Sequence, residues 1–311
     1  MDIINKGEGQ ALPFFKKGGN AMRILEHQIQ PQDAGRSVKF IALKRMQLSH
    51  GQFSSLKFKG AIRADGIEAR ADQHLQPGQV LTICLEDQAL PITPYDVPLS
   101  IPYQDEDLLI IDKPAPLPTL SSVHQSGPTL ENALYAHMGC PENYIFRPVN
   151  RLDKGTSGLM TAALNPHAQQ LMQKMLHSDA FIREYLALCE GEMEQERGVI
   201  DLPILEPQSG IKRTIHPQGR PARTHFQVVE IKGGKSLLRL RLETGRTHQI
   251  RVHLSSLGHP ILGDFLYGTE HPALPGRFAL HSCLIRFLHP ITGYEVIVNS
   301  PLPPEISALF I

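Results

Sequence analysis

Apolar residues recur along the chain with two periods, and the alternation between them sets the expected order of elements. Val38, Ile41, Ala42 and Met46 fit one helical face, with Phe40 and Leu43 beside them. Ser49 is placed to cap a second helix carrying Phe53 and Leu56. Gly60 to Gly66 reads as a strand entering an Asp65-Gly66 turn, and Leu75 to Ile83 as a Pro77-Gly78 turn and a strand. Asp107 to Asp112 is a buried strand stopped by Pro114, and Thr129 to Met138 a helix with Leu130, Ala133 and Leu134 inward. Leu159 to Leu164 is strand-like, and Asn165-Pro166 opens a helix whose Ala168, Leu171, Met172, Met175 and Leu176 form one stripe. Methionine at that spacing fills a core rather than holding a cofactor. Phe181, Arg183 and Tyr185 share one face of the next strand, and Leu238, Leu240 and Leu242 alternate with Arg239 and Arg241. Gly233-Gly234-Lys235-Ser236 ends like a phosphate-binding loop, but Val229 stands where its first glycine belongs, so a hairpin turn is expected.

Composition changes this picture little. The chain has 311 residues, 41% hydrophobic and 20% charged, with zero net charge. That is enough for one large or two smaller cores, and any nucleic-acid surface must come from local clustering. Such a cluster exists. Between Gly35 and Gly60 every charge is positive: Arg36, Lys39, Lys44, Arg45, Lys57 and Lys59. One sign spread over two adjacent helices fits a phosphate backbone, and the plain alternative is a solvated helix face. Pro91, Pro94 and Pro98 mark residues 87–100 as a linker between a small unit, 22–86, and a large one, 101–311. Residues 1–21, polar and rich in glycine, read as a flexible extension. No apolar run reaches the roughly 20 residues of a membrane span, and no export signal is evident. Cys84, Cys140, Cys189 and Cys283 are widely separated, so reduced thiols in the cytoplasm are expected and zinc is not. His248 and His253 lack metalloprotease spacing, so no metal is expected.

Two stretches carry the chemistry. Arg147-Pro148-Val149-Asn150-Arg151-Leu152-Asp153-Lys154-Gly155-Thr156-Ser157-Gly158-Leu159 places one carboxylate among three cations in a loop where two glycines relax the backbone. A surface ion pair would need neither glycine. Thr244-Gly245-Arg246-Thr247-His248-Gln249-Ile250-Arg251 turns from a strand into a helix that ends near Gly258. The first stretch resembles the His-Arg-Leu-Asp-x-x-Thr-Ser-Gly-Leu signature of the RluA-type pseudouridine synthases, with Asn150 in place of the His. The second resembles that family's Thr-Gly-Arg-x-His-Gln-Ile-Arg. Asp112-Lys113-Pro114, Arg183-Glu184-Tyr185 (for Lys-x-Tyr), Gly258 to Gly268, Leu280-His281-Ser282 and Phe287-x-His289-Pro290 extend the resemblance over about Ile101 to Pro304. Ala115 to Thr119 depart from the family's Gly-x-x-Val-His-Pro. Residues 22–86 resemble the small RNA-binding domain named after ribosomal protein S-four, with His50, Asp65 and Gln79 as departures.

The resemblance implies an α+β protein: a catalytic domain on a large mixed, mainly antiparallel sheet, and a small α/β RNA-binding domain before it. It implies isomerisation of uridine to pseudouridine in structured RNA, without cofactor, by a cytoplasmic monomer. Asp153 would be the nucleophile, Arg246 its ion partner and Tyr185 the ring that holds the base. Arg151 would fill the space of an everted nucleotide or grip a phosphate. Arg36, Lys44, Arg45, Lys57 and Lys59 would dock the RNA. Large-subunit ribosomal RNA is the expected target and transfer RNA the alternative. A non-catalytic RNA-binding or ribosome-assembly protein is the second reading. A glycosidase is disfavoured because no second carboxylate is evident near Asp153.

Overall fold

The computed structural model describes residues 23–48, 53, 54, 56, 61–85, 92–120, 127–142, 144–176, 178–208 and 210–310. The expected extension, the Ser49 cap, Lys57 and Lys59 lie outside the described residues.

The N-terminal unit comprises β1 (Arg23–Gln28), α1 (Val38–Lys44), β2 (Ile62–Ala64), β3 (Ile67–Glu68) and β4 (Val80–Leu85). The strands form an antiparallel sheet in the order β1-β4-β2-β3. Ser37 caps α1 by accepting from Phe40 N, and Val38, Ile41 and Ala42 face a core with Leu75, Leu81 and Ile83. Asp65 and Gly66 take positive φ at the β2–β3 turn, as the Asp-Gly pair predicts. The Asp65 carboxylate accepts from Val80 N and Gln79 Nε2, which ties that turn to β4.

The larger unit runs β5 (Ser100–Gln104), β6 (Leu108–Lys113), α2 (Leu130–His137), β7 (Arg147–Pro148), β8 (Ser157–Ala163), α3 (Pro166–Met175), β9 (Phe181–Glu190), β10 (Arg197–Asp201), β11 (Ile204–Leu205), β12 (Thr214–Ile215), β13 (Arg223–Lys232), β14 (Lys235–Leu242), α4 (Gln249–Ser256), β15 (Leu280–Leu288), β16 (Glu295–Asn299) and α5 (Pro304–Ser307). Ten of these strands make one sheet in the order β10-β13-β14-β9-β15-β8-β6-β5, with β16 beside β15 and β7 beside β8. Every pairing is antiparallel except β15 with β8. Both faces are covered. Leu108, Ile110 and Leu159 pack with Ala168 and Met172 of α3 on one side. Leu109, Ile111 and Met160 pack with Leu130 and Leu134 of α2 and Ile250 and Leu254 of α4 on the other. That is why β6 and β8 read as continuous apolar runs while β14, with Arg239 and Arg241 exposed, alternates.

Of the expected linker, Ser100 already belongs to β5. Ile92, Val97 and Leu99 lie against the larger core, and Tyr95 N donates to Asn132 O of α2. Residues 92–99, with Pro94 and Pro98, are thus docked along the larger unit. No helix among the described residues is long and apolar enough to cross a membrane.

Candidate active site

Asp153 sits in the loop from β7 to β8, and that loop is held from three sides. Gly158, the second residue of β8, has φ +102°, and a Cβ there would meet the Ser282 carbonyl oxygen of the parallel neighbour β15 at 2.3 Å. A Cβ on Gly155 would meet the Phe278 ring at 2.7 Å. Both glycines are therefore demanded by close approach, and Gly158 by its backbone angle as well. The segment after β6 closes the other side. Leu117 N donates to Lys154 O at 3.0 Å, and Thr119 Oγ1 donates to Leu152 O at 2.8 Å. The fully buried Lys113 spans the gap, its Nζ donating to Pro114 O, Leu117 O and Lys154 O. Burial pulls that amine down to about 7, against the attraction of Asp153. The two residues flanking Asp153 are thus fixed by their main chains. Ala115 to Thr119 depart from the family pattern in residue type and still supply these contacts.

Asn150, at the position of the family His, accepts from Thr161 N at 3.0 Å and so bonds the loop to β8. Arg147 does not face the carboxylate. It is buried, and its Nη1 donates to the carbonyls of Ile145 and Leu164. Arg151 is exposed and lines the pocket mouth.

The opposite wall is the turn from β14 into α4. Gln249 organises it: Oε1 accepts from Thr244 Oγ1 and Arg246 N, and Nε2 donates to Arg223 O and Thr224 Oγ1. The guanidinium that reaches Asp153 belongs to Arg251, which corrects the expectation for Arg246. Arg251 Nη1 lies 3.1 Å from Asp153 Oδ2, while its Nε and Nη2 fork onto Asp264 at 2.7 and 2.8 Å. Its guanidinium also stacks 4.2 Å from the Phe278 ring. Arg246 lines the same pocket with its Nε donating to Pro221 O at 3.1 Å. Asp264 is fully buried and accepts from Leu266 N and Tyr267 N besides. It aims Arg251, leaving one N–H edge for Asp153.

Tyr185 lies on β9, buried beside Arg183, and burial raises its phenol above the usual range. Asp153, Tyr185 and Arg251 meet in a cavity of about 510 Å³. Arg151, Lys154, Arg183, Arg246 and Arg251 line it, and Asp153 is the sole carboxylate among the lining residues. This is a cationic cleft with an aromatic wall and one partly sheltered carboxylate, a combination that suits a polyanion presenting a single planar base.

Among the residues expected to dock RNA, Arg36 and Lys44 are exposed, with the Arg36 guanidinium 4.8 Å over the Phe40 ring. Arg45 is exposed as well, but paired. It is spent on the buried Asp33, with Nε at 2.9 Å and Nη2 at 2.7 Å from Oδ1. Asp33 stands just upstream of the one-signed run, so counting charges from Gly35 missed it. Arg251, Asp264 and Lys113 escaped the residue-level reading too. The available signal was a charge inside an apolar context, Arg251 between Ile250 and Val252, and Lys113 ending a buried strand.

One group with metal-ligand composition occurs among the described residues, Asp105, Asp107 and His289. His289 Nδ1 accepts from the backbone of Ile291 and Thr292, so the neutral ring carries its proton on Nε2, 3.0 Å from Asp105. The group reads as a turn lock between β5 and β6, and none of it lines the cavity.

Comparison with known proteins fits this geometry. The family profile described as RNA pseudouridylate synthase matches residues 107–256. The chain is 35% identical over 270 residues to the RNA pseudouridine synthase YjbO of Bacillus subtilis, covering 84% of this chain and 94% of that one. It is 38% identical over 271 residues to ribosomal large subunit pseudouridine synthase D of Vibrio vulnificus, covering 80% and 82%. Among solved structures, human RNA pseudouridylate synthase domain containing 1 superposes with a TM-score of 0.55 at 29% identity, covering 68% of this chain and 87% of that one.

Proposed function

From the premise that this chain belongs to the RluA-type RNA pseudouridine synthases, an isomerase family acting on uridine in RNA, we propose that Asp153 is the nucleophile and large-subunit ribosomal RNA the substrate. The observation that carries the first part is the Asp153–Arg251–Asp264 array in the cationic pocket. Pseudouridine formation cuts the C1′–N1 bond, turns the uracil and rejoins it through C5. Nothing is oxidised and no group is lost, so side chains suffice. A carboxylate must act on the sugar while the base is detached, which requires that it be positioned and ionised. Arg251 supplies the opposing charge, and its fork onto Asp264 keeps it from collapsing onto Asp153 as a symmetric pair. Tyr185 is the wall against which the base turns, and its phenol, protonated throughout the neutral range, is a hydrogen-bond donor. Arg151 at the mouth replaces the everted nucleotide in its stack or grips the adjacent phosphate.

The ribosomal target is supported by the printed names of relatives such as synthase D of Vibrio vulnificus and Escherichia coli. The basic face of the N-terminal unit supports an extended RNA surface, and residues 22–86 are proposed as the RNA-docking domain. We place the protein in the cytoplasm as a monomer on the same reading.

The test is tritium release from RNA of cells lacking this chain, labelled at uridine C5. The expected result for Asp153→Asn is loss of release by roughly 10³-fold or more with RNA affinity within a few-fold. Wild-type release in that variant refutes the nucleophile assignment. Mapping which uridines lose pseudouridine in the deletion strain tests the substrate, and sites confined to transfer RNA would overturn the ribosomal part.

A further inference from the structure

His248 lines the cavity in a left-handed backbone conformation, φ 58°, at the N-cap of α4, and its side chain makes no capping hydrogen bond. Residues bearing a Cβ adopt that conformation uncommonly, histidine more readily than most. Its Nδ1 lies 2.9 Å from the Tyr267 hydroxyl. That oxygen already accepts from Arg213 N at 2.7 Å, which leaves the phenolic proton to point at Nδ1. A phenol donating to Nδ1 selects the neutral tautomer that carries its proton on Nε2. Nε2 in turn lies 3.9 Å from Asp153 Oδ2. An oxygen that acts on C1′ marks where C1′ sits, and N1 and O2 of the uracil lie within the next two or three bonds.

We infer that His248 is a further catalytic residue, a neutral hydrogen-bond donor whose Nε2–H meets the uracil anion as it leaves the sugar, with Tyr267 fixing the tautomer. The inference rests on the reading of Asp153 as nucleophile. As the Asp153 carboxylate bonds to C1′, the C1′–N1 bond breaks with its electron pair on the uracil, spread over N1, O2 and O4. The C1′–C5 bond then forms from the uracil's electrons as the Asp153–C1′ bond breaks and restores the carboxylate, C5 gives its proton to solvent, and N1 takes one up. His248 transfers no proton. It holds the charge while the ring turns, as a preorganised donor does best in a sheltered site. The surroundings keep the ring neutral. Burial lowers its pKa below 6.5; Arg251 on its own helix and Arg213 beside β12 act the same way, against Asp153 and Asp264. A charged imidazolium would instead pair with Asp153 and compete with the sugar for it.

The experiment compares His248→Leu, His248→Gln and Tyr267→Phe in single-turnover tritium release at saturating enzyme. The substrate is the C5-tritiated RNA of cells lacking this chain, with RNA affinity and thermal unfolding measured alongside. The expected loss in single-turnover rate constant is roughly 100-fold or more for His248→Leu, with affinity within a few-fold. His248→Gln, whose amide also donates, is expected within roughly 10-fold of wild type. Tyr267→Phe keeps its ring under the Arg251 guanidinium, 5.0 Å away, and is expected to lose roughly 10-fold. The proposal is overturned if His248→Leu keeps the wild-type rate, if Gln is as inactive as Leu (the behaviour of a proton acceptor), or if Tyr267→Phe is unchanged. Should His248→Leu fail to fold, a loss of roughly 100-fold or more in His248→Gln, or an unchanged rate in Tyr267→Phe, overturns it. Asp153→Asn run in parallel separates the readings, because turnover there refutes the nucleophile whatever His248 does.

Discussion

Arg251 and Lys44 carry the same charge in contrasting settings. Arg251 is 3% exposed, forked onto a fully buried aspartate, stacked on a phenylalanine ring and left with one N–H edge for Asp153. Lys44, the last residue of α1, is in solvent with no ion pair among the described residues, and the same holds for Arg36 before the helix and Lys39 in its first turn. The first arrangement fixes a charge to a fraction of an ångström, which is what chemistry at one atom needs. The second leaves charge mobile, which suffices to displace counterions from a polyanion and confers affinity without register. On the proposed function, one molecule separates the two demands of RNA modification, and each side can be tested without touching the other.

The largest effect is expected at the fixed charge. Arg251→Ala removes the partner of Asp153 and also strands Asp264 in the core. Leaving a buried carboxylate unpaired costs roughly 3–5 kcal/mol. Denaturant unfolding should show that loss together with loss of tritium release. Arg246→Ala, which removes only a bond to Pro221 O, should leave stability nearly unchanged. If the two substitutions proved interchangeable in either assay, the geometric ranking of these arginines would be wrong.

Next comes the backbone that presents Asp153. Gly158→Ala places a Cβ 2.3 Å from Ser282 O at a φ of +102°, and β8 cannot yield without breaking the parallel register His281 to Ser157. A destabilisation of about 3 kcal/mol is expected, read from the denaturant midpoint. Gly35→Ala, also at positive φ but with no atom within 4 Å of the new Cβ, should cost about 1 kcal/mol. Equal losses would show that the close approach of β15 does not matter.

The same contrast governs how much could be read from residues alone. Periodicity found β6, β8, β9, β14, α2 and α3, because one period per element decides each of them locally. Asn165 was legible as a cap because a cap needs only its own residue and the turn after it. The Asp153 loop was legible too, through its glycines and the resemblance they belong to. The identity of its ion partner was not. Arg246 and Arg251 are five residues apart, and which one turns inward is set by Gln249 anchoring the turn to Arg223 and Thr224 of β13 and by Asp264 arriving from the next loop. Those are long-range contacts that no local pattern encodes. The Arg45 pairing was hidden for the same reason, since its partner Asp33 lies in the turn preceding α1, 12 residues away.

The smallest effect sharpens the comparison inside the N-terminal unit itself. Lys44 and Arg45 are adjacent, equal in charge and both in solvent, yet among the described residues only Arg45 has an ion partner. If free charge is what meets RNA, Lys44→Gln should reduce the slope of log affinity against log salt by roughly one, and Arg45→Gln by much less. Acid unfolding should show the reverse order. The hydrogen bond from Arg45 holds the Asp33 carboxyl below its ordinary value of 3.8, so this pair adds stability above that pH and loses it as pH falls through the lowered value. Arg45→Gln should flatten that acid limb while Lys44→Gln leaves it in place. A salt slope that responds equally to both substitutions would mean that the ion pair opens when RNA arrives, and Asp33 would then be a competitor for the phosphate rather than a brace for α1.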